Sequence, residues 1–261
     1  MDAVKAASES INDLKAIRYS ISGHVALVEL ARPDVMNAYD NAMLRELQLV
    51  WRAFESDPDA YVGILAGEGR AFCAGHDLSH LEEIADEPPS IHYGDIELTK
   101  PLIAAIHGPT LGGGASMAMA CDMRVAADDL KFGYPQVKSG MMSIGGHNWL
   151  PRSTHRGAAM ELLLTGELIG AAEAHRLGLV NYVVSRDELL SKANELAAKI
   201  ARNAPLAVRA TKEAVVGASR LSFRDGIALA KGIFARLSLS VDWQEGLQAF
   251  REKRPPRFSG S

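Results

Sequence analysis

The sequence predicts an α/β core over residues 1–200 and a helical segment over residues 201–261. Three observations carry this reading. Short apolar runs of strand length alternate with segments of helical periodicity up to Arg202, the pattern of a layered α/β fold. Two of the strands run into glycine-rich turns, one in Pro101 to Asp122 and one in Tyr61 to Leu78. From Pro205 to Phe250 the pattern is mostly helical, with Ile227, Leu229, Ile233, Phe234, Leu237 and Leu247 apolar. A tail this apolar has to pack on the core or on a neighbouring subunit.

The bulk properties bound the answer. At 261 residues the chain exceeds the usual single-domain size, and 48% apolar residues suffice for a substantial core. A net charge of -4 leaves no basic excess to neutralise phosphates, so nucleic acid is not an expected partner. Cys73 and Cys121 are too few for a disulfide or metal framework. They read as small apolar core groups, which suits a reducing cytoplasm. Residues 1–16 mix Lys, Glu, Ser and Asp and do not form a signal peptide. The longest apolar stretch, Pro101 to Cys121, is broken by Pro109 and its glycines, so no membrane association is expected.

In chain order, Ile17 to Ser22 and His24 to Leu30 read as a hairpin around Ser22-Gly23. Arg32-Pro33-Asp34 is a loop. Asp40 caps a helix from Asn41 to Ser56 whose buried face carries Met43, Leu44, Leu47, Val50, Trp51 and Phe54. The strand Val62 to Ala66 follows Pro58 and leads through Gly67 and Gly69 to Ala74-Gly75-His76-Asp77, read as the opening of a helix. Residues 79–100 are polar and read as a loop with a short helix; His80, His92 and Tyr93 there read as solvated or structural. Leu102 to Ile106 is a buried strand, ended by Pro109 and by Gly112, Gly113 and Gly114, with a buried helix from Ala115 to Ala120. Val125 to Ala127 and Leu130 to Phe132 are short strands, and Gly140 to Trp149 is a glycine-rich turn. Met160 to Leu164, Ala171 to Leu177 and Glu188 to Arg202 are helical, and Leu179 to Val184 is a strand.

A glycine turn before a helix leaves backbone N–H groups free beside the positive end of the helix dipole. Such a turn can hold an anion or a developing oxyanion, although turns of this kind are common. Two of them supply two donors to one carbonyl oxygen, the minimum for stabilising an enolate or a tetrahedral oxyanion.

The chain resembles the crotonase (enoyl-CoA hydratase/isomerase) superfamily nearly end to end. The resemblance rests on the order and spacing of Leu30 to Ala38, Arg70 to Leu78, Pro101 to Asp122, Phe132 to Gln136, Leu164 to Glu167, Ala171 to Leu179 and Glu245 to Arg254. It implies a spiral of ββα repeats, a C-terminal helical trimerisation segment, and a homotrimer or a dimer of trimers. By position, the amides of His76 and Gly113 would hold the thioester oxygen of an acyl-CoA. The two glutamates that hydratases use correspond to Ser116 and Gln136, and a third carboxylate of some relatives corresponds to Ile144. Loss of an acid or base costs on the order of a hundredfold to ten-thousandfold. The resemblance therefore implies an acyl-CoA enzyme in which ordinary hydration is weak or missing.

Three side chains are candidates to replace the carboxylates. Ala-Gly-His76-Asp is similar to methylmalonyl-CoA decarboxylase, although elsewhere in the family only the amide of such a histidine counts. His147, in Gly145-Gly146-His147, lies on a loop that lines the family's acyl pocket and is either a base or a capping histidine. Gln136 can hold a water or a carbonyl through its amide. Tyr134 reads as a packing residue. For CoA, the resemblance points to Met36, Ala38, Ala74, His76, Asp77 and Leu78. It adds Phe234 and Lys253, both of which could come from a neighbouring subunit. Ser79 replaces a lysine often found there. CoA enters as part of the substrate, and no tightly bound cofactor is implied. A non-catalytic acyl-CoA binder, an acyl-CoA decarboxylase, and a serine hydrolase built on Gly114-Ala-Ser116-Met-Ala118 stand as other readings. A dinucleotide turn at Gly112 to Gly114 is weaker, because Met117 occupies its last glycine position.

Overall fold

The computed structural model describes residues 11, 13–77, 79 and 98–261. The readings made for residues 1–10 and 80–97, with His80, His92 and Tyr93, and for Leu78 lie outside the described residues.

The chain enters through an antiparallel hairpin, β1 (Ile17–Ser22) and β2 (Val25–Leu30), registered from Ile17 opposite Leu30 to Ser22 opposite Val25. The turn holds Gly23 and His24, both at positive φ (55° and 66°), as a two-residue loop with the twist of the strands requires. His24 therefore belongs to the turn and not to β2, a correction to the sequence reading. Its ring stacks on Tyr61, with centroids 4.2 Å apart.

Helix α1 (Asn41–Ser56) matches its prediction residue for residue. The Asp40 carboxylate accepts from the Met43 amide at 2.8 Å, and Met43, Leu44, Leu47, Val50, Trp51 and Phe54 are buried. Glu46 reaches back to the amides of Ala16 and Ile17, which fixes the start of β1 on the helix. At the other end the wholly buried Lys100 donates to the carbonyls of Phe54 and Asp57, placing a positive charge at the negative end of the helix dipole.

Strands β3 (Val62–Gly67), β4 (Leu102–Ile106), β6 (Met123–Ala127) and β9 (Tyr182–Val184) extend the hairpin into a six-stranded sheet ordered β1-β2-β3-β4-β6-β9, parallel from β2 onward. A second sheet holds β5 (Pro109–Leu111), β7 (Lys131–Gly133) and β8 (Ile169–Gly170). After β4 the chain lays β5 in the second sheet and then forms α2 (Gly113–Ala120). After β6 it lays β7 beside β5, and α3 (Gly146–Ser153) and α4 (Arg156–Thr165) follow. Successive ββα turns thus advance as a spiral. Both faces of the parallel sheet are covered, which is why its strands carry continuous apolar runs. Val62, Ile64, Ala66, Ile103, Ala105 and Val125 pack toward α6 (Leu189–Ala201), and the opposite face packs on α1 and α2. Phe54 lies against Gly63, where a β-carbon would meet its ring at 3.2 Å.

Three further expectations are corrected. Pro109 does not end the strand region: it opens β5, since a first-strand residue has no need of an N–H, and β5 pairs with β7. Residues 140–149 are not all turn, because α3 begins at Gly146, whose amide donates to the Ser143 hydroxyl at 2.8 Å. The strand read as Leu179 to Val184 keeps only Tyr182–Val184; Leu179 and Val180 are buried as loop residues. Cys73 and Cys121 are both buried and unbridged, as expected.

The short helix α5 (Ala171–Arg176) precedes β9, and α7 (Pro205–Ala218), α8 (Phe223–Leu237) and α9 (Val241–Glu252) form the tail. Lys212 ties α7 to the core by donating to Lys100 O at 2.8 Å and to Asp122 at 2.9 Å. Phe223, Leu239 and Phe250 in this tail stand 88%, 85% and 85% exposed. Among the described residues no helix is long and apolar enough to cross a membrane.

Candidate active site

The two glycine-rich segments meet beyond the carboxyl ends of β3 and β4, where ligands bind in open parallel sheets. Segment 73–77 lies between two others. On one side Ala74 donates to Met36 O at 3.0 Å, Tyr39 to Gly75 O at 2.9 Å and Asp77 to Tyr39 O at 2.9 Å. On the other side Cys73 donates to Pro109 O at 3.2 Å and Leu111 to Cys73 O at 2.9 Å. His76 therefore sits in an extended bridge with Tyr39; Ser79 beyond it is helical, and the rest of the helix read as opening at Ala74-Gly75-His76-Asp77 lies outside the described residues. The parallel bridge uses the Gly75 carbonyl and the Asp77 amide, so the His76 N–H faces away from Tyr39, toward the turn that follows β5.

That turn is built for close approach. Gly112 has φ 54° and ψ -116°, and its amide donates to Gly133 O at 2.9 Å. Gly113 and Gly114 open α2. A β-carbon would stand 2.8 Å from Gln136 Nε2 at Gly112, 2.0 Å from Tyr39 Oη at Gly113 and 2.3 Å from Cys73 O at Gly114. Gly113 and Gly114 are too crowded for a side chain, and Gly112 is held by its positive φ. The Gly113 nitrogen lies 3.6 Å from the place a β-carbon on Gly75 would take, so the His76 and Gly113 amides are near neighbours. Among the described residues neither amide finds an acceptor.

Several predicted residues gather here. Gln136, on a 3-10 turn over Pro135–Ser139, lays its carboxamide against Gly112, and its Oε1 is buried without a partner among the described residues. Ser116, 1% exposed, lies in the first turn of α2. Beside it the buried Tyr134 packs edge-on to Phe132 and against Gly146. Burial raises the Tyr134 phenol well above its ordinary pKa, and the Ser116 hydroxyl pulls the other way. The His76 ring meets Asp77 O through Nδ1 at 3.1 Å, and its Nε2 is buried without a partner among the described residues. His147 is exposed and turns its Nδ1 to Ser143 O at 2.9 Å, at the start of its own helix. No described contact joins it to His76, Ser116 or Gln136.

Met36, Ala38, Ala74 and Asp77 come together through the same bonds. Met36 and Asn37 are both left-handed, with φ 55° and 54°, an uncommon pair outside glycine. The wholly buried Asn37 holds the pair: its amide donates to Glu68 O and Ala71 O, and its oxygen accepts from the Arg32 amide. The Arg32 guanidinium donates to Ala38 O at 2.6 Å and bridges Asp40 at 3.0 Å and Asp77 at 3.2 Å. The Ser79 hydroxyl, and after it Arg32, hold the Asp77 carboxyl below its usual value. Phe234 stands 55% exposed on α8 with its ring edge-on to Trp243, and Lys253 ends α9 at φ 55°. No described contact brings either to this cluster. A cavity of about 740 Å³ also lies elsewhere, between α7, α8 and Leu98-Thr99, away from the glycine turns.

Residues 20–261 match the profile of the family described as Enoyl-CoA hydratase/isomerase. The chain belongs to the enoyl-CoA hydratase/isomerase family. The (E)-benzylidenesuccinyl-CoA hydratase of Thauera aromatica is 37% identical over 254 residues, covering 94% of this chain and 99% of its own. The 2,3-dehydroadipyl-CoA hydratase of Escherichia coli is 36% identical over 243 residues, covering 90% and 95%. The crystal structure of enoyl-CoA hydratase EchA1 from Mycobacterium marinum superposes with a TM-score of 0.90 at 36% identity, over 94% of this chain and 99% of that one. The crotonase-type fold expected from the sequence is thereby borne out. In this family member, Arg32, Asn37 and Tyr39 are the site-building residues that sequence reasoning missed. Asn37 carried a faint signal, since asparagine tolerates the left-handed region. Arg32 and Tyr39 carried none, because their roles depend on contacts across the fold.

Proposed function

We propose that the protein processes an acyl-CoA thioester whose oxygen is held by the amides of His76 and Gly113, through chemistry that does not use the hydratase pair of glutamates. The observation that supports this is the pair of neighbouring amides that find no acceptor among the described residues. A donor of this kind lowers the barrier to an oxyanionic transition state by about 3–4 kcal/mol. Ser116 and Gln136 stand where the resemblance puts acid and base, and neither exchanges a proton near neutral pH unaided. Met36, Ala38, Ala74 and Asp77 would line the CoA path, with Leu78 alongside, and CoA enters with the substrate.

Loss of carbon dioxide from an acyl-CoA asks only that the resulting enolate be stabilised, so a lyase of that kind fits a site with amides and no carboxylates. The Nε2 of His76, buried without a partner among the described residues, is the candidate to manage a proton there. The C-terminal segment would assemble trimers, or pairs of trimers, burying Phe223, Leu239 and Phe250 and carrying Phe234 and Lys253 toward a neighbour's CoA. The test is turnover of crotonyl-CoA, followed by loss of enoyl absorbance, beside methylmalonyl-CoA. Release of carbon dioxide from the latter establishes the decarboxylase. Tight binding of both without turnover establishes a binder instead.

A further inference from the structure

We propose that the Tyr39 phenol is a third hydrogen-bond donor to the oxygen held by the His76 and Gly113 amides. This rests on the acyl-CoA reading above and deepens it.

Tyr39 is 7% exposed and its ring belongs to the core, yet its polar end reaches the glycine turn. The place of a Gly113 β-carbon is 2.0 Å from Tyr39 Oη and 2.6 Å from ring atoms Cε1 and Cζ. The hydroxyl thus lies against the Gly113 α-carbon, one bond from the donor nitrogen. The same ring meets the His76 imidazole edge-on, with centroids 5.2 Å apart. Tyr39 also sets the direction of the His76 amide, through its bonds to Gly75 O and from Asp77 N. One residue therefore touches both halves of the donor pair.

The hydroxyl has no hydrogen-bond partner among the described residues. Phenylalanine would fill the same core volume without bringing a polar group to the turn. Burial, helped by Cys73 nearby, raises the phenol well above its ordinary pKa. It stays protonated at neutral pH and meets an enolate as a donor, without repelling it as an anion. No bond is made or broken in this role. The proton remains on Tyr39, and the hydrogen bond strengthens as charge builds on the substrate oxygen.

The test uses the full-length protein, Tyr39→Phe, and two probes. Acetoacetyl-CoA ionises to an enolate with its own near-ultraviolet band, whereas butyryl-CoA stays a neutral thioester. Tyr39→Phe is expected to bind butyryl-CoA within about twofold of the parent but the enolate about tenfold more weakly, with the pKa of bound acetoacetyl-CoA raised by about one unit. Equal affinities for both probes in parent and variant overturn the proposal. An equal loss for both also overturns it, since it marks a packing role. If Tyr39→Phe does not fold, as judged by its thermal melt, Tyr39→Leu is read for the same contrast. A parent protein that binds neither thioester removes the acyl-CoA reading itself, and this proposal with it.

Discussion

At Gly113 a single methyl group would meet Tyr39 Oη at 2.0 Å, so the smallest substitution in the glycine turn is a sharp probe of the site. Gly113 has no positive φ, and the obstacle is steric, not conformational. Gly113→Ala is expected to keep the fold but lower acyl-CoA turnover or affinity at least tenfold, because Tyr39 and the turn must separate. Parallel thermal melts and binding titrations check this, and unchanged binding would sink it. Asp77 offers a second probe. Its folded pKa is depressed by Ser79 and Arg32, so its contribution to stability is present above its unfolded value, near 4, and is lost as pH falls through the lower folded one. Asp77→Asn should therefore flatten the acid limb of stability below about pH 4 relative to the parent. The residues of this loop were unevenly legible. His76, Gly113, Ser116 and Gln136 were found because family spacing marks them. The left-handed Met36-Asn37 pair was not, because only Asn37 hints at positive φ and nothing in Met36 announces it.

Among the elements, α1 was readable residue for residue, since a capping Asp40 and one apolar face both lie within the helix. Strand β5 was missed because Pro109 reads locally as a breaker, and only β7, some twenty residues on, makes it a strand. The end of α1 depends on a distant residue too. Lys100 donates to Phe54 O and Asp57 O from complete burial, and desolvation, with Arg209 adding, lowers its pKa to about 8. The unfolded chain then holds this proton more firmly than the folded one. The cost of burying the charge is fully present below pH 8 and fades as pH rises toward the unfolded value near 10.4. The stability of the parent relative to Lys100→Met should rise across that window in denaturant titrations, and a flat difference would contradict the assignment. In the same helix Phe54→Ala opens a cavity against Gly63 and should cost about 3–5 kcal/mol, read as a lower denaturant midpoint.

For the whole molecule, the spiral brings two distant glycine turns to one end of a parallel sheet, while the tail helices leave large apolar side chains uncovered. The exposure of Phe223, Leu239 and Phe250 supports the proposed assembly through this tail. Sedimentation should give three or six chains, and Phe250→Glu should shift the distribution toward smaller species; a monomeric parent would refute the assembly. The helical tail was legible as helix but not as three separate helices, although Ser222 and Ser240, which cap the second and third, lie within its own sequence.

The central claim, an oxyanion site without hydratase carboxylates, is tested most directly by incubating the purified protein with crotonyl-CoA and following loss of enoyl absorbance, with Gln136→Glu alongside. The account predicts tight binding of the thioester and turnover at least a hundredfold below an ordinary hydratase, with Gln136→Glu no slower than the parent. Hydration by the native protein at an ordinary enzymatic rate would contradict it, and would mean that some other residue supplies the acid and base.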